Sequence, residues 1–393
     1  MRKHVSKLLL ALGVLALAGQ APAAEVGVTE NSIRIGMFGP LTGPTAIGSL
    51  SVLGAAAIYR NVNDQGGIHG RKIDLVIEDD ACQPNKTIAA TKKLIAQDQV
   101  FMIHGGWCSG TVMAIKPELE RNPEVPFMVA GAASAAISTP VQSNIFHPVA
   151  TTNTVARAMV DFAETKPGAR RVALISHSDE WGKSHVEPLV KEMEKRGLEV
   201  VETAWFERGS TDATSQTLRI RTAKPDVVMA VLYQPELTIF LRDAHKFGVK
   251  VPVVTTQGVS IEDMVKRVGN PAATKDLYVF YPLSHTLDAP EFRKWVDIFR
   301  RYNPSEPVET ISFIGMTGAL AVVEALRNVG PELTRAKFIA ELNKLKDFDP
   351  GIQSGPLTFT PEDHAGIKTG KMVYMPDGKQ PRIVAKYPGV ASQ

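Results

Sequence analysis

The sequence predicts an α/β protein of two lobes, each a parallel sheet flanked by helices. Three observations carry that expectation. Short apolar runs rich in Val and Ile recur with amphipathic stretches between them, the rhythm of repeated βα units. That rhythm breaks at residues 145–152 and restarts near Arg171, which separates two series of units. The chain has 393 residues, 44% hydrophobic and 22% charged, an ordinary globular composition for about two domains.

Residues 1–24 stand apart from the rest. Arg2, Lys3 and Lys7 precede an apolar run over 8–18, and Ala21-Pro22-Ala23 fits a small-residue cleavage site. This is the pattern of a secretory signal peptide, and the run is short for a retained membrane anchor. Gln20 occupies the place of a lipid-attachment cysteine, so a soluble, exported protein is expected. The formal charge of +3 comes from this segment, which has three basic and no acidic side chains. The remainder is formally neutral and carries no signature of a nucleic-acid or anionic-lipid partner.

Taken in order, a strand over 33–38 runs into the loop Gly39-Pro40-Leu41-Thr42-Gly43-Pro44, and a helix over 46–65 stops at Gly66-Gly67. A strand over 73–78 leads to Asp79-Asp80-Ala81-Cys82, then a helix over 87–97 keeps Lys92 and Lys93 on its wet face. The run 100–103 is a buried strand broken by Gly105-Gly106, with a helix starting near Thr111. The strand 126–130 ends in Ala130-Gly131-Ala132-Ala133-Ser134, and 145–152 reads as a crossover. The second series has strands over 171–176, 199–205, 227–232 and 251–256, with helices over 181–196, 214–222 and 235–247. A strand over 277–281, helices over 292–302, 310–327 and 334–344, and a hairpin of 355–360 with 372–374 complete the chain.

Two strand ends carry the chemistry. The stretch Ile103-His104-Gly105-Gly106-Trp107-Cys108-Ser109-Gly110-Thr111 joins a glycine turn to a helix N-terminus, where backbone N–H groups and the helix dipole favour an anion. Ser109 adds a hydroxyl and Trp107 a flat apolar surface, which suits a small carboxylate with a hydrophobic body. Ala132-Ala133-Ser134 repeats the design one βα unit later, and both lie where open α/β sheets bind ligands. Trp181 and Tyr233 fall at equivalent strand ends. Core packing is the plain explanation for one such aromatic, and three together favour a cleft.

Cys82 and Cys108 are the two cysteines, and export favours a disulfide between them. A reactive Cys108 near His104, as in an exported hydrolase, is the alternative. Trp181-Gly182-Lys183-Ser184 ends like a phosphate-binding loop but has His177 where that motif needs its first glycine. His177 and His185 lack metal-ligand companions, so neither a metal nor a cofactor is expected. No carboxylate pair points to acid–base catalysis.

With these pieces in order, the chain resembles the periplasmic branched-chain amino acid (leucine/isoleucine/valine) binding proteins of ABC importers. The resemblance rests on Ile33-Arg34-Ile35-Gly36 with Gly39–Pro44, Asn63-Asp64-Gln65-Gly66-Gly67-Ile68-His69-Gly70, Asp79–Cys82, Gly106–Ser109 and Gly355-Pro356-Leu357. It implies the type I periplasmic binding protein fold, two lobes joined by three hinge crossings. The N-terminal lobe then comprises 25–148 plus 282–355 and the C-terminal lobe 149–281 plus 356–393. It also implies the Cys82–Cys108 bridge, a ligand carboxylate held at Ser109 and Ala132-Ala133-Ser134, and aromatics at Trp181 and Tyr233.

Two departures bear on the ligand. The family's acidic residue for a ligand ammonium falls on Gln257, and a tyrosine usual after the first strand has no counterpart within 45–50. An amide forfeits the charge-assisted part of an ammonium bond. The expectation is therefore a small apolar carboxylate without an amine, aromatic acids included, with a branched-chain or other α-amino acid as the alternative. The protein is expected to be a non-enzymatic, periplasmic, monomeric solute-binding component whose macromolecular partners are the permease subunits of an importer.

Overall fold

The computed structural model describes residues 25–387, and the leader expected over 1–24 lies outside the described residues. Two sheets organise the molecule. The first contains β1 (Ser32–Gly39), β2 (Lys72–Asp79), β3 (Met102–Gly105), β4 (Phe127–Val129) and β5 (Ile145–Phe146), all parallel, in the order β2-β1-β3-β4-β5. The second contains β6 (Arg171–His177), β7 (Glu199–Phe206), β8 (Val227–Val231), β9 (Val253–Thr255), β10 (Leu277–Tyr281), β11 (Gly370–Tyr374) and β12 (Arg382–Tyr387). Its order is β12-β11-β10-β9-β8-β6-β7, parallel from β6 to β10 with an antiparallel edge of β11 and β12. The central strands β3 and β8 are buried along their whole length, which is why they read as continuous apolar runs rather than alternating ones.

Strand order reverses between β1 and β3 in one sheet and between β6 and β8 in the other. A crevice opens at such a switch point beyond the carboxyl ends of the strands. The helices that follow are α1 (Ser49–Asp64), α2 (Pro84–Ala96) and α3 (Ser109–Arg121) on the first sheet. The second series carries α4 (Thr152–Glu164), α5 (Glu180–Lys195), α6 (Thr214–Ala223), α7 (Gln234–Lys246), α8 (Ile261–Val268) and α9 (Pro271–Thr274). After β10 the chain returns to the first sheet. There α10 (Arg293–Tyr302) and α11 (Ile311–Val329) pack on α1, and α12 (Arg335–Leu342) packs on α11. Arg335 ties α12 to the start of β3 by donating to the carbonyls of Phe101 and Val100 at 2.9 and 2.7 Å.

Three sequence expectations need correction. Helix α3 begins at Ser109 rather than near Thr111, so Ser109 is its first residue. The C-terminal hairpin pairs β11 with β12, not 355–360 with 372–374. Its turn is built at Asp377-Gly378, where Asp377 Oδ1 accepts from Lys379 N–H and Gly378 has φ 66°. The resemblance places residues 356–366 with the C-terminal lobe, and residues 364–366 lie alongside the end of β5. Gly366 N–H donates to His147 O at 2.9 Å, His147 N–H to His364 O at 2.9 Å, and the His364 ring stacks on Phe146 at 4.2 Å. Burial of Phe146 beneath Phe359 and His364 holds the segment there. The third passage between sheets therefore falls just before β11.

Candidate ligand-binding site

Cys82 and Cys108 form a disulfide, with Cα atoms 5.8 Å apart across a separation of 26 residues. In the chain-entropy model a loop of this length contributes about 3–4 kcal/mol of stability. The bridge anchors the turn after β2 to the residue before α3, and it removes Cys108 as a nucleophile. His104 is equally unsuited to a hydrolytic role. It is fully buried, its Nδ1 lies 2.8 Å from Tyr59 Oη, and burial pushes its pKa down to about 3.

The two glycine-broken strand ends meet. Ser134 N–H donates to Ser109 Oγ at 3.2 Å, and both side chains are buried. Ser109 Oγ accepts in that bond, so its own O–H remains available to donate. Ser134 Oγ has no hydrogen-bond partner among the described residues. The turn bearing Ala132, Ala133 and Ser134 is fixed from below by His147, whose Nε2–H donates to Ala132 O at 2.7 Å while Nδ1 faces Ser138 Oγ at 3.1 Å. Thr152, the first residue of α4, reaches the same turn. Its N–H donates to Ala133 O and its Oγ1 accepts from Ala135 N–H.

The N-termini of α3 and α5 face each other across the gap between the sheets. A Cβ built on Gly110 would lie 3.4 Å from Glu180 Cβ. Helix α3 has no side-chain cap, so its first N–H groups and positive dipole end remain open to an anion. Helix α5 is capped by Asp179, which accepts from Gly182 N–H at 2.9 Å. The Gly182-Lys183-Ser184 segment is therefore a capped helix start and cradles no phosphate. A cavity of about 190 Å³ lies beside these termini, lined by Cys108, Ser109 and Gly110 from one side and by Glu180, Trp181 and Arg208 from the other.

Of the aromatics expected at the strand ends, Trp181 lines that cavity, and it packs against Tyr233. Those two rings stack directly, with centroids 4.3 Å apart and planes at 18°. Tyr233 is set by His177, which accepts from Tyr233 N–H through Nε2 at 3.1 Å and donates from Nδ1 to Phe206 O at 3.1 Å. His177 Nε2 also lies 3.6 Å from Glu236. The Tyr233 hydroxyl is buried without a partner among the described residues, and burial pushes its pKa up. Trp107 faces the opposite way, held between two glycines. A Cβ on Gly48 would come within 2.3 Å of its indole and one on Gly131 within 2.4 Å.

Gln257 follows β9, is 5% exposed, and donates from Nε2 to Ala150 O at 2.8 Å. The turn carrying it touches Trp181, with a Cβ on Gly258 3.4 Å from Trp181 Cζ2. Sequence reasoning missed three further residues. Arg208, at the end of β7, pairs with Asp179, lies 4.8 Å above the Tyr233 ring, and reaches to 4.0 Å from Cys108 Sγ. Its signal is a cation followed by a glycine, two residues beyond the strand. Gln234 at the start of α7 and Glu309 before α11 form a buried hydrogen bond of 3.1 Å between the two halves. Nothing local marks that pair, since it joins residues 75 positions apart. Among the described residues no helix is long and apolar enough to span a membrane, and no group of three or more His, Cys, Asp or Glu is placed to hold a metal ion.

The sequence profile of a family described as "Periplasmic binding protein" matches residues 32–380. The chain is 27% identical over 346 residues to "Leu/Ile/Val-binding protein homolog 7" of Brucella abortus (strain 2308), covering 84% of this chain and 83% of that protein. Its fold is similar to that of a branched-chain amino acid ABC transporter protein from Thermus thermophilus with bound valine, with a TM-score of 0.83 and 20% identity over 93% of this chain and 98% of that one. It is also similar to an ABC transporter solute binding protein from R. palustris in complex with 4-hydroxybenzoate, with a TM-score of 0.78 and 21% identity over 91% and 98% of the two chains.

Proposed function

The chain belongs to the periplasmic binding protein family, and from that premise we propose that it is the exported, signal-peptide-bearing solute receptor of an ABC importer, binding a small apolar carboxylate between two closing lobes. One lobe comprises residues 25–148 with 282–366, the other 149–281 with 367–387. The observation that carries the reading is the meeting of Ser109 and Ser134 at the uncapped N-terminus of α3. Hydroxyl donors and free backbone N–H groups converge there with the positive end of a helix, which is an anion site. Trp107 and the Trp181–Tyr233 pair supply apolar walls for the ligand body, and Gln257 reads a polar group on it. The lobes shut because contacts to Trp181, Tyr233 and Gln257 form only in the closed state, and the permease recognises that state. The receptor acts as a monomer and performs no chemistry on its ligand.

A second reading has support in the relatives. The Brucella protein is named for leucine, isoleucine and valine, and the Thermus structure holds valine. An α-amino acid would then meet Gln257 through water. A thermal-shift panel of aromatic and aliphatic acids against amino acids separates the two. The carboxylate reading expects unfolding temperatures to rise with the acids and stay unchanged with leucine, isoleucine and valine. The reverse pattern would sink it.

A further inference from the structure

We propose that the Cys82–Cys108 bridge is a site of thiol–disulfide exchange that gates the ligand site. A dithiol reductant opens the bridge, and the Cys108 thiolate so released takes the anion position at the N-terminus of α3. The inference rests on the carboxylate reading above, since thiolate and ligand compete for one helix terminus.

The two sulfurs are unequal. Cys82 is half-buried on the turn after β2, Cys108 is 5% exposed, and both line the cavity that Arg208 shares. Attack therefore falls on Cys82, and Cys108 is the leaving group. A thiolate of the reductant bonds to Cys82 Sγ while the Cys82–Cys108 bond breaks, and Cys108 leaves with the electron pair. The second thiol of the reductant, as its thiolate, then closes on the first reductant sulfur. The reductant ends as a disulfide, and Cys82 leaves and takes up a proton.

The place where Cys108 is left favours an anion. Cys108 is the N-cap of α3 and, while bridged, gives that helix no side-chain hydrogen bond. The N–H groups of Thr111 and Val112 donate to Cys108 O, so those of Ser109 and Gly110 are the open donors of the first turn. An N-cap side chain accepts from the second or third helical N–H, and Gly110 supplies the second. Arg208 Nη1 lies 4.0 Å from Cys108 Sγ, its charge shared with Asp179. Glu180 across the cavity opposes a thiolate and a carboxylate alike, so it does not choose between them. Two anions at one terminus repel, and the covalently held one stays. The turn after β2 keeps bonds of its own when the bridge opens. Asp80 accepts from Cys82 N–H and Asp79 from Ala81 N–H, each at 2.9 Å.

Titration calorimetry with 4-methylpentanoate, benzoate and leucine, all of which carry a carboxylate, tests this. The samples are the mature protein before and after reduction by dithiothreitol, Cys82→Ser and Cys108→Ser, with a thermal melt on each. Both variants lack the bridge, and only Cys82→Ser keeps the Cys108 sulfur. At about pH 8 the reduced protein and Cys82→Ser should bind the tightest of the three probes at least about tenfold more weakly than Cys108→Ser does. Equal affinity of the two variants makes the bridge a mechanical tie and overturns the proposal. A reduced protein that binds like the oxidised one overturns it too, and that comparison stands where a variant does not fold. Binding of none of the probes by the oxidised protein defeats the carboxylate reading instead.

Discussion

Ser109 carries two duties at once. Its oxygen accepts the Ser134 N–H at 3.2 Å and thereby fixes the spacing of two strand ends 25 residues apart in sequence. Its O–H is left free to donate in turn. Ser109→Ala removes a donor to a charged group, which should weaken ligand binding by about 1–2 kcal/mol, roughly five- to thirtyfold. It also leaves the buried Ser134 N–H without its acceptor, so the unfolding temperature should fall in the same variant. Calorimetry and a thermal melt on one sample separate the two effects. Unchanged affinity with a lowered melt would leave Ser109 as a purely structural residue. His147 and His177 act a step further back, each pinning a loop through a backbone group, and neither touches the gap itself.

The elements that build the cleft were legible in the sequence where local chemistry marks them, and illegible where tertiary packing does. Apolar runs alternating with amphipathic stretches mark the βα units, so β8 with α7 lies where periodicity puts it, while β3 lies two residues further on than the run 100–103. The helix expected near Thr111 starts at Ser109, the donor expected at its N-terminus. The placement of 364–366 alongside β5 depends on Phe146, Phe359 and His364 finding each other, which no spacing rule predicts. The stacking of Trp181 on Tyr233 is invisible for the same reason, although both positions were read as wall residues. The turn after β4 offers a test of the packing view. Gly131 lies against the Trp107 indole, and Gly131→Ala would place a methyl 2.4 Å from Cε3. The indole is confined on its other side by Gly48, so it cannot retreat without moving the backbone. Overpacking of this kind costs about 1–3 kcal/mol, and the melting temperature should drop accordingly while the disulfide stays intact. An unaltered melt would mean that Trp107 is free to swing.

At the scale of the whole molecule, closure brings together groups that are far apart in the chain, and one of them titrates. Glu309 precedes α11 on the first half and accepts from Gln234 on α7 of the second. Burial pushes its carboxyl above the ordinary carboxylate range, Gln234 opposes that shift, and Asp263 and Glu262 add to it while Arg267 opposes it. Gln234 Oε1 is a buried acceptor without a partner among the described residues. Separation of the halves returns Glu309 to water and to its usual pKa. Closing therefore takes up a proton over the interval between those two values, and acid favours the shut form. The sign is that of a raised carboxyl: the stabilisation is complete below the ordinary value and is lost as pH rises through the elevated one. The buried histidines His104, His147 and His185, with pKa values of about 3, 4 and 4, stay neutral through the neutral range and do not obscure the effect there. Ligand affinity should weaken as pH rises above the ordinary carboxylate range, a span in which a ligand carboxylate stays ionised. Glu309→Gln keeps the hydrogen bond to Gln234 in a form that cannot titrate, so its affinity should be flat over the same span and close to the wild-type value at the acid end. A wild-type profile as flat as that of the variant would show that Glu309 is equally buried whether the halves are open or shut.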